Sequence, residues 1–551
     1  MKRSVLAMVV WTMGLTPAAA AQEPAPELES ITQSDLRADL FFLASDAMQG
    51  RLTDTPENRI AAEFIRSRFE RMKLQPAGRN GSFYHEFNLS TATLGIGNEL
   101  VISRGNPRNQ IVLRPGQDYY PLRFSSSGEA TGELVFAGFG IVSDQRGHDD
   151  YRSESIEGRI VLVLDHEPGE RNPDSPFDGL VTSEASRDLR KVLYAQDRGA
   201  AAVLFVSDVH NHPGPSNFER SAAGYWPTGQ LRVPRYTLAS WVERVRIPVA
   251  MVSPALVRTF LEAAGGTLEE LAESAEETGG ITPLAIPDIN IVLKTSVDRH
   301  VTSDRSVVAM IEGSDPEVAD ELVIISAHYD HNGADAARIF NGADDDGSGT
   351  VTLIEIAEAY SLAMANGIRP RRSILFAAWN SEERGLLGAW AYVVDPLYPL
   401  EKTVAVLNMD MIGRNEEVRV GGGRRFRGLE LQTAESNSNA VNIMGYTYSP
   451  ALRAVIEGAN RGIGLEVKMR YDNNQSNLLR RSDQWPFLQN GVPAVFVHTG
   501  LHPDYHTEFD RPERINYVKM EKIARLVHQV SWTLAQAGGR PGFQRRVDES
   551  P

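Results

Sequence analysis

The sequence contains no cysteine, which excludes disulfides, thiolate metal sites and an acylated N-terminal cysteine. Any metal site must therefore be built from His, Asp and Glu. No apolar run is long enough to span a bilayer. Positive charge is also short: 56 Lys and Arg stand against 72 Asp and Glu, for a net charge of −16. A field of that sign repels nucleic acid and anionic lipid, so neither is an expected partner. A Gly-x-Ser-x-Gly nucleophile elbow is likewise absent, which leaves Ser348 a turn residue with no activating histidine.

Among the features that are present, the N-terminus reads as an export signal. Lys2 and Arg3 precede an apolar stretch from Ser4 to Leu15, and Ala19 and Ala21 form an A-x-A cleavage pattern. Residues 1–21 are thus expected to be removed from an exported, periplasmic or secreted product. Losing Lys2 and Arg3 leaves 54 basic against 72 acidic residues, a net charge of −18.

At 551 residues the chain is expected to form more than one folded unit. In residues 22–111, Ser34 or Asp35 is expected to cap a helix through Leu36, Leu40 and Leu43. Pro56 is expected to open a second, carrying Ala61, Phe64, Ile65, Phe69 and Met72 at helical spacing. Each helix has one apolar face, so this segment is expected to pack on the domain formed by residues 296–538. Residues 112–295 change texture to short apolar runs broken by Gly, Pro and Asp, the pattern of a compact mixed β domain. No clustered His, Asp and Glu set is legible there. His210 and His212 stand in a loop rich in Pro, Gly and Asn and are expected to face solvent. The segment resembles the protease-associated (PA) domain in Val135-Phe-Ala-Gly-Phe-Gly-Ile141, Asp150-Tyr151, Glu157-Gly-Arg-Ile-Val-Leu-Val163, Gly199-Ala-Ala-Ala-Val-Leu-Phe205 and Ile247-Pro-Val249. The resemblance implies an inserted module that shapes access to a peptidase site.

Over residues 296–538 apolar runs alternate with helical patterns, predicting an α/β fold with a mostly parallel sheet sandwiched by helices. Residues 539–551 are polar and are expected to be a flexible tail, and the basic run Arg424, Arg425 and Arg427 a solvated loop. In open α/β sheets, sites form beyond the carboxyl ends of strands. Here four runs end in ligand-type residues: His328 and Asp330, then Glu382 and Glu383, then Asp410, then His498, His502 and His506. The Asp344 to Asp346 run is not an EF-hand, since Gly342 and Leu353 occupy positions where that loop needs acids. Imidazoles with carboxylates and no sulfur suit zinc, and so many carboxylates call for two divalent ions.

His328-Tyr-Asp330, Gly342-Ala-Asp-Asp345-Asp-Gly-Ser-Gly349, Glu382-Glu383-Arg-Gly-Leu, Asn408-Met-Asp410-Met-Ile-Gly413, Ser482-Asp483 and Tyr505-His506-Thr resemble the zinc-dependent M28 peptidases. That resemblance implies two Zn²⁺ ions per chain, one held by His328, Asp345 and Asp410 and the other by Asp345, Glu383 and His506, with Asp345 as the bridge. It further implies a metal-bridging hydroxide as nucleophile, Glu382 as general base and Tyr505 as an oxyanion donor. Asp330, two residues from His328, is expected to accept the other ring N–H of His328 and fix its tautomer. His331, His498 and His502 are read as neighbours rather than ligands. Gln484 stands where many relatives have His, which puts supporting or substrate contacts in question rather than metal binding. The expected activity is peptide hydrolysis by an aminopeptidase. The alternatives are a carboxypeptidase of the same fold and a binding protein that has lost catalysis.

Overall fold

The structure is a computed structural model. It describes residues 23–545 apart from 153, 215, 216, 230, 263 and 264. The expected export signal at 1–21 lies outside the described residues.

Two sheets organise the chain. The larger runs in the order Thr237–Leu238, Tyr84–Leu94, Val297–Ile311, Ser373–Trp379, Leu322–His328, Thr403–Met409, Ala494–His498, Ala440–Met444, Glu466–Met469. Its four central strands, Ser373–Trp379 through Ala494–His498, are parallel. The strands flanking that block pair antiparallel with it, so the sheet is mixed rather than mostly parallel. The reason is visible in Tyr84–Leu94 and Val297–Ile311, which pair antiparallel from Tyr84↔Val307 to Leu94↔Val297. They are neighbours in this sheet, and the strands of the second sheet all lie between them in the chain.

The central strands are buried along their whole length, which is why they read as unbroken apolar runs. Their side chains alternate between two cores. Val323, Ile325 and Ala327 face one, with Ile374, Phe376 and Ala378, while Ile324, Leu375, Ala377 and Trp379 face the other. The first core is closed by Gln33–Leu43, Pro56–Arg71, Gly349–Ala365 and Tyr517–Gln536. The second is closed by Leu387–Val394 and Gln484–Gln489.

Local capping sets the helix starts. Thr32, two or three residues before the expected cap, accepts from Asp35 N, and Leu36, Leu40 and Leu43 are buried at i, i+4, i+7 spacing. Thr55 caps the next helix and Pro56 occupies its first turn, where a missing N–H costs nothing.

Residues 22–111 are not only helical. Tyr84–Leu94 joins the large sheet, and Glu99–Arg104 and Asn106–Val112 join the second one, so that unit begins before residue 112. The second sheet runs Asn106–Val112, Glu99–Arg104, Leu284–Thr295, Gly128–Phe136, Ile160–Leu164, Ala202–Val206, Val249–Val252, Tyr119–Pro121. It too separates two cores. Residues 539–545, expected to be free, are held: Arg540 donates to Glu401 O and Thr403 O, and Gln544 N donates to Tyr448 O at 2.9 Å. No helix among the described residues is long and apolar enough to cross a membrane.

Candidate metal centre

Chain order sets where the cleft opens. From Leu322–His328 the chain moves to its neighbour on one side, Ser373–Trp379, and then crosses to the other side at Thr403–Met409. A sheet that reverses direction in this way leaves a crevice beyond the carboxyl ends of the two strands at the switch. His328 ends one of them and Asp410 follows the other.

The eight residues expected at the site converge there. His328 Nε2 lies 3.4 Å from Asp345 Oδ1, 3.6 Å from Asp410 Oδ2 and 3.7 Å from Glu382 Oε2. His506 Nε2 lies 2.9 Å from Asp345 Oδ2 and 3.2 Å from Glu383 Oε1. The two oxygens of Asp345 thus face different imidazoles, which is the disposition of a bridging carboxylate. His328 Nε2, Asp345 Oδ2 and Asp410 Oδ1 are buried and make no hydrogen bond. Leaving three such atoms unpaired costs about 1–3 kcal/mol each, and cations held among these residues would remove that cost. The residues therefore fit divalent metal binding.

Simple proximity also groups His328 with Glu382 and Asp410, and His331 with Asp345 and Glu383. His331 Nδ1 is 2.8 Å from Glu383 Oε1 but 3.8 Å from Asp345 Oδ2. It is fully buried behind Glu383, whereas His506 borders the cleft with its side chain 31% exposed. His331 therefore steers Glu383, and His506 is the imidazole that reaches both carboxylates from the cleft side.

The loops are held by acids that themselves stay out of the cleft. Asp346 Oδ2 accepts from His328 N, and its Oδ1 accepts from Gly349 N and Met411 N, joining three segments of the site. Asp510 accepts from the amides of Asp344 and Asp345, and Asp344 accepts from Gly413 N while His502 Nε2 lies 3.2 Å away. Gly342 has φ +57°, and a Cβ there would fall 2.3 Å from Asp345 O and 2.5 Å from the His331 ring. Arg51 is buried and donates to Tyr329 O, Leu43 O, Asn341 O and Gly342 O. Burial pushes its guanidinium down to about 10, against the pull of Asp330, Asp345, Asp510 and Asp346. It stays charged at neutral pH and offsets part of the acidic field.

Asp330 acts differently from expectation. His328 Nδ1 is 3.2 Å from the Asp330 backbone carbonyl and 3.6 Å from its Oδ1, so the tautomer is set chiefly by the carbonyl. The carboxylate instead accepts the amides of Glu382 at 3.0 Å and Glu383 at 3.4 Å. His498, read as a neighbour, lies on the cleft wall, with Nδ1 2.9 Å from Asp410 O. Gln484 hydrogen-bonds Asn408 and Leu479 O and does not line the cleft.

Burial and the Glu383 charge push the Asp345 carboxyl up, yet His328 and His506 outweigh them and hold it below the usual carboxylate range. Burial, with the Asp410, Asp483 and Glu383 charges, drives Glu382 well above the usual range against the pull of His328. Of the two adjacent acids Glu382 is thus the better proton acceptor, while His506 and His331 outweigh burial and keep the other, Glu383, ionised. Burial and nearby carboxylates also raise Tyr505, so its phenol keeps its proton. Its ring stacks on His506 with centroids 3.9 Å apart. Arg425, expected to be merely solvated, donates to Tyr505 O and lies over that ring.

The cleft has a volume of about 270 Å³. Leu386, Met411, Leu478, Phe496 and Leu501 give it an apolar wall, and Arg480 and Arg481 also line it.

Residues 306–531 match the profile of peptidase family M28. The chain carries an M28 peptidase domain. It is 26% identical over 418 residues to the probable glutamate carboxypeptidase AMP1 of Arabidopsis thaliana, covering 73% of this chain and 52% of that protein. It is 29% identical over 415 residues to the probable glutamate carboxypeptidase VP8 of Zea mays, covering 70% and 50%. The chain thus spans about half the length of these curated relatives. Among solved structures, an aminopeptidase from Aneurinibacillus sp. strain AM-1 aligns over 95% of this chain and 98% of its own, at 17% identity and a TM-score of 0.46.

Proposed function

We propose that the protein is an exported two-zinc exopeptidase, an aminopeptidase that removes N-terminal residues. The observation that carries the reading is the split of Asp345, with Oδ1 toward His328 and Oδ2 toward His506. His328 and Asp410 would hold one ion, Glu383 and His506 the other, with Asp345 between. When bound, zinc supplies a Lewis acid for the scissile carbonyl and lowers the pKa of water.

The chain's own residues supply the rest. Glu382 borders the cleft beside His328 and takes a proton from the attacking water, then returns it to the leaving amine. Asp330 holds Glu382 and Glu383 in place through their amides. Tyr505, kept protonated, offers a donor to a developing oxyanion. The acidic floor suits a substrate ammonium, and the wall of Leu386, Met411, Phe496 and Leu501 suits an apolar side chain.

Arg480 and Arg481 favour a second reading, a carboxypeptidase that captures a terminal carboxylate. Arg480 is already engaged by Thr182 O at 2.7 Å and Glu184 at 3.2 Å, which weakens that case. The zinc-loaded enzyme assayed on amino-acid anilides and on N-blocked peptides separates the two. Cleavage of blocked peptides alone sinks the aminopeptidase reading. We assign the second unit the role of a PA-like module, since Thr182 and Glu184 from its Ile160–Ala202 connection meet the Arg480 wall. N-terminal sequencing of the mature product tests export, with a start near Gln22 expected.

A further inference from the structure

Outside the cleft, the second unit assembles three metal-type side chains from two loops that stand apart in sequence. The strands Ile160–Leu164 and Ala202–Val206 are parallel neighbours, paired from Ile160↔Ala202 to Leu164↔Val206. Their carboxyl ends therefore deliver two loops to one edge, the first carrying His166 and Glu170, the second His212. His166 Nδ1 lies 3.1 Å from Glu170 Oε2, and His212 Nε2 contacts Glu170 Oε1. The two rings face each other with centroids 4.1 Å apart. One ligand atom from each residue lies within 4.8 Å of the others. Tetrahedral zinc, with bonds of about 2.1 Å, sets its donors roughly 3.4 Å apart. Small side-chain rotations would meet that spacing.

The loops are built rather than slack. Lys191 donates to Leu164 O and His166 O, Gly169 N donates to Glu276 at 2.7 Å, and Asn211 donates to Asp208 and Glu276. Glu170 is 12% exposed, while His166 and His212 are 40% and 46% exposed, so an ion can reach them from solvent. Asp165 Oδ1 stands 3.9 Å from His166 Nε2, on the ring's far side, and adds negative charge that favours a cation nearby. A plain ion pair explains the cluster less well. Glu170 and Asp165 both face His166, but two charged rings 4.1 Å apart would repel, whereas one divalent cation joins His166, Glu170 and His212 without that cost.

We propose that His166, Glu170 and His212 form an accessory site for one divalent transition-metal ion of the zinc class. The ion would tie the loop after one strand to the loop after its neighbour. The first of these loops continues to Thr182 and Glu184, which receive Arg480 from the cleft wall. The site thus lies at the root of the segment that braces the cleft, and needs no part of the cleft chemistry.

The test is Zn²⁺ titration of chelator-stripped full-length protein, read by equilibrium dialysis and metal analysis. Wild type is expected to bind one equivalent more than Glu170→Gln and than His212→Gln, with unchanged circular dichroism in both variants. Asp345→Ala gives an independent background, because it disables the cleft. There Zn²⁺ should still bind and raise Tm, and adding His212→Gln should abolish both effects. Equal stoichiometry in wild type and both single variants, or a Zn²⁺ response in the Asp345→Ala background that survives His212→Gln, overturns the proposal.

Discussion

Asp330 Oδ1 accepts the amide of Glu382 at 3.0 Å. The residue that follows the His328 strand therefore fixes the backbone that follows the neighbouring strand. The cleft's two adjacent glutamates are registered against its first histidine through one carboxylate, and the consequences of removing either partner differ.

Glu382→Gln keeps the amide that Asp330 holds but removes the proton carrier. Peptidase turnover should fall about 10²- to 10⁴-fold, while bound zinc, measured by metal analysis, stays at the wild-type level. Wild-type turnover in this variant would refute the base assignment.

Asp345→Ala deletes the only carboxylate among the described site residues that faces both His328 and His506. Both ions should be lost together on dialysis against a chelator. Glu383→Ala should release one ion ahead of the other, and a sequential loss in Asp345→Ala would argue against a bridge.

Arg51→Ala should destabilise the fold without touching a ligand. Four buried carbonyls lose their donor, for a cost of about 3–5 kcal/mol. Urea denaturation reads it directly. A cost under about 1 kcal/mol would mean that water replaces the guanidinium.

His528 links the last helix to the N-terminal segment, with Nε2 2.7 Å from Pro26 O. Burial pushes its pKa from 6.5 down to about 4. Between these values the unfolded chain binds the proton and the folded chain does not. The contribution is complete above pH 6.5 and is lost as pH falls toward 4, at a cost of about 3 kcal/mol. His528→Gln, which keeps a donor for Pro26 O, should flatten stability against pH across that window. An unchanged slope would show that His528 does not titrate there.

The central strands were legible because burial on both faces leaves unbroken apolar runs, and their ends named His328, Glu382 and Asp410 in advance. The edge strands were harder to read. Tyr84–Leu94 and Val297–Ile311 pair across about two hundred residues, and no local pattern announces such a partner. No local pattern marks the role of Arg51, since a buried cation owes it to carbonyls some 290 positions away.

The sequence alone determined the chemistry: a cysteine-free chain with imidazoles and carboxylates placed just past strand ends, which suits hard or borderline cations. Tertiary structure alone decided geometry. It turned Asp345 so that its oxygens serve two histidines, set His331 behind Glu383 rather than in the cleft, and joined His212 to His166 and Glu170. Residue type and short-range spacing are written along the chain. Distances between residues far apart in sequence are set only when the cores close around the sheets.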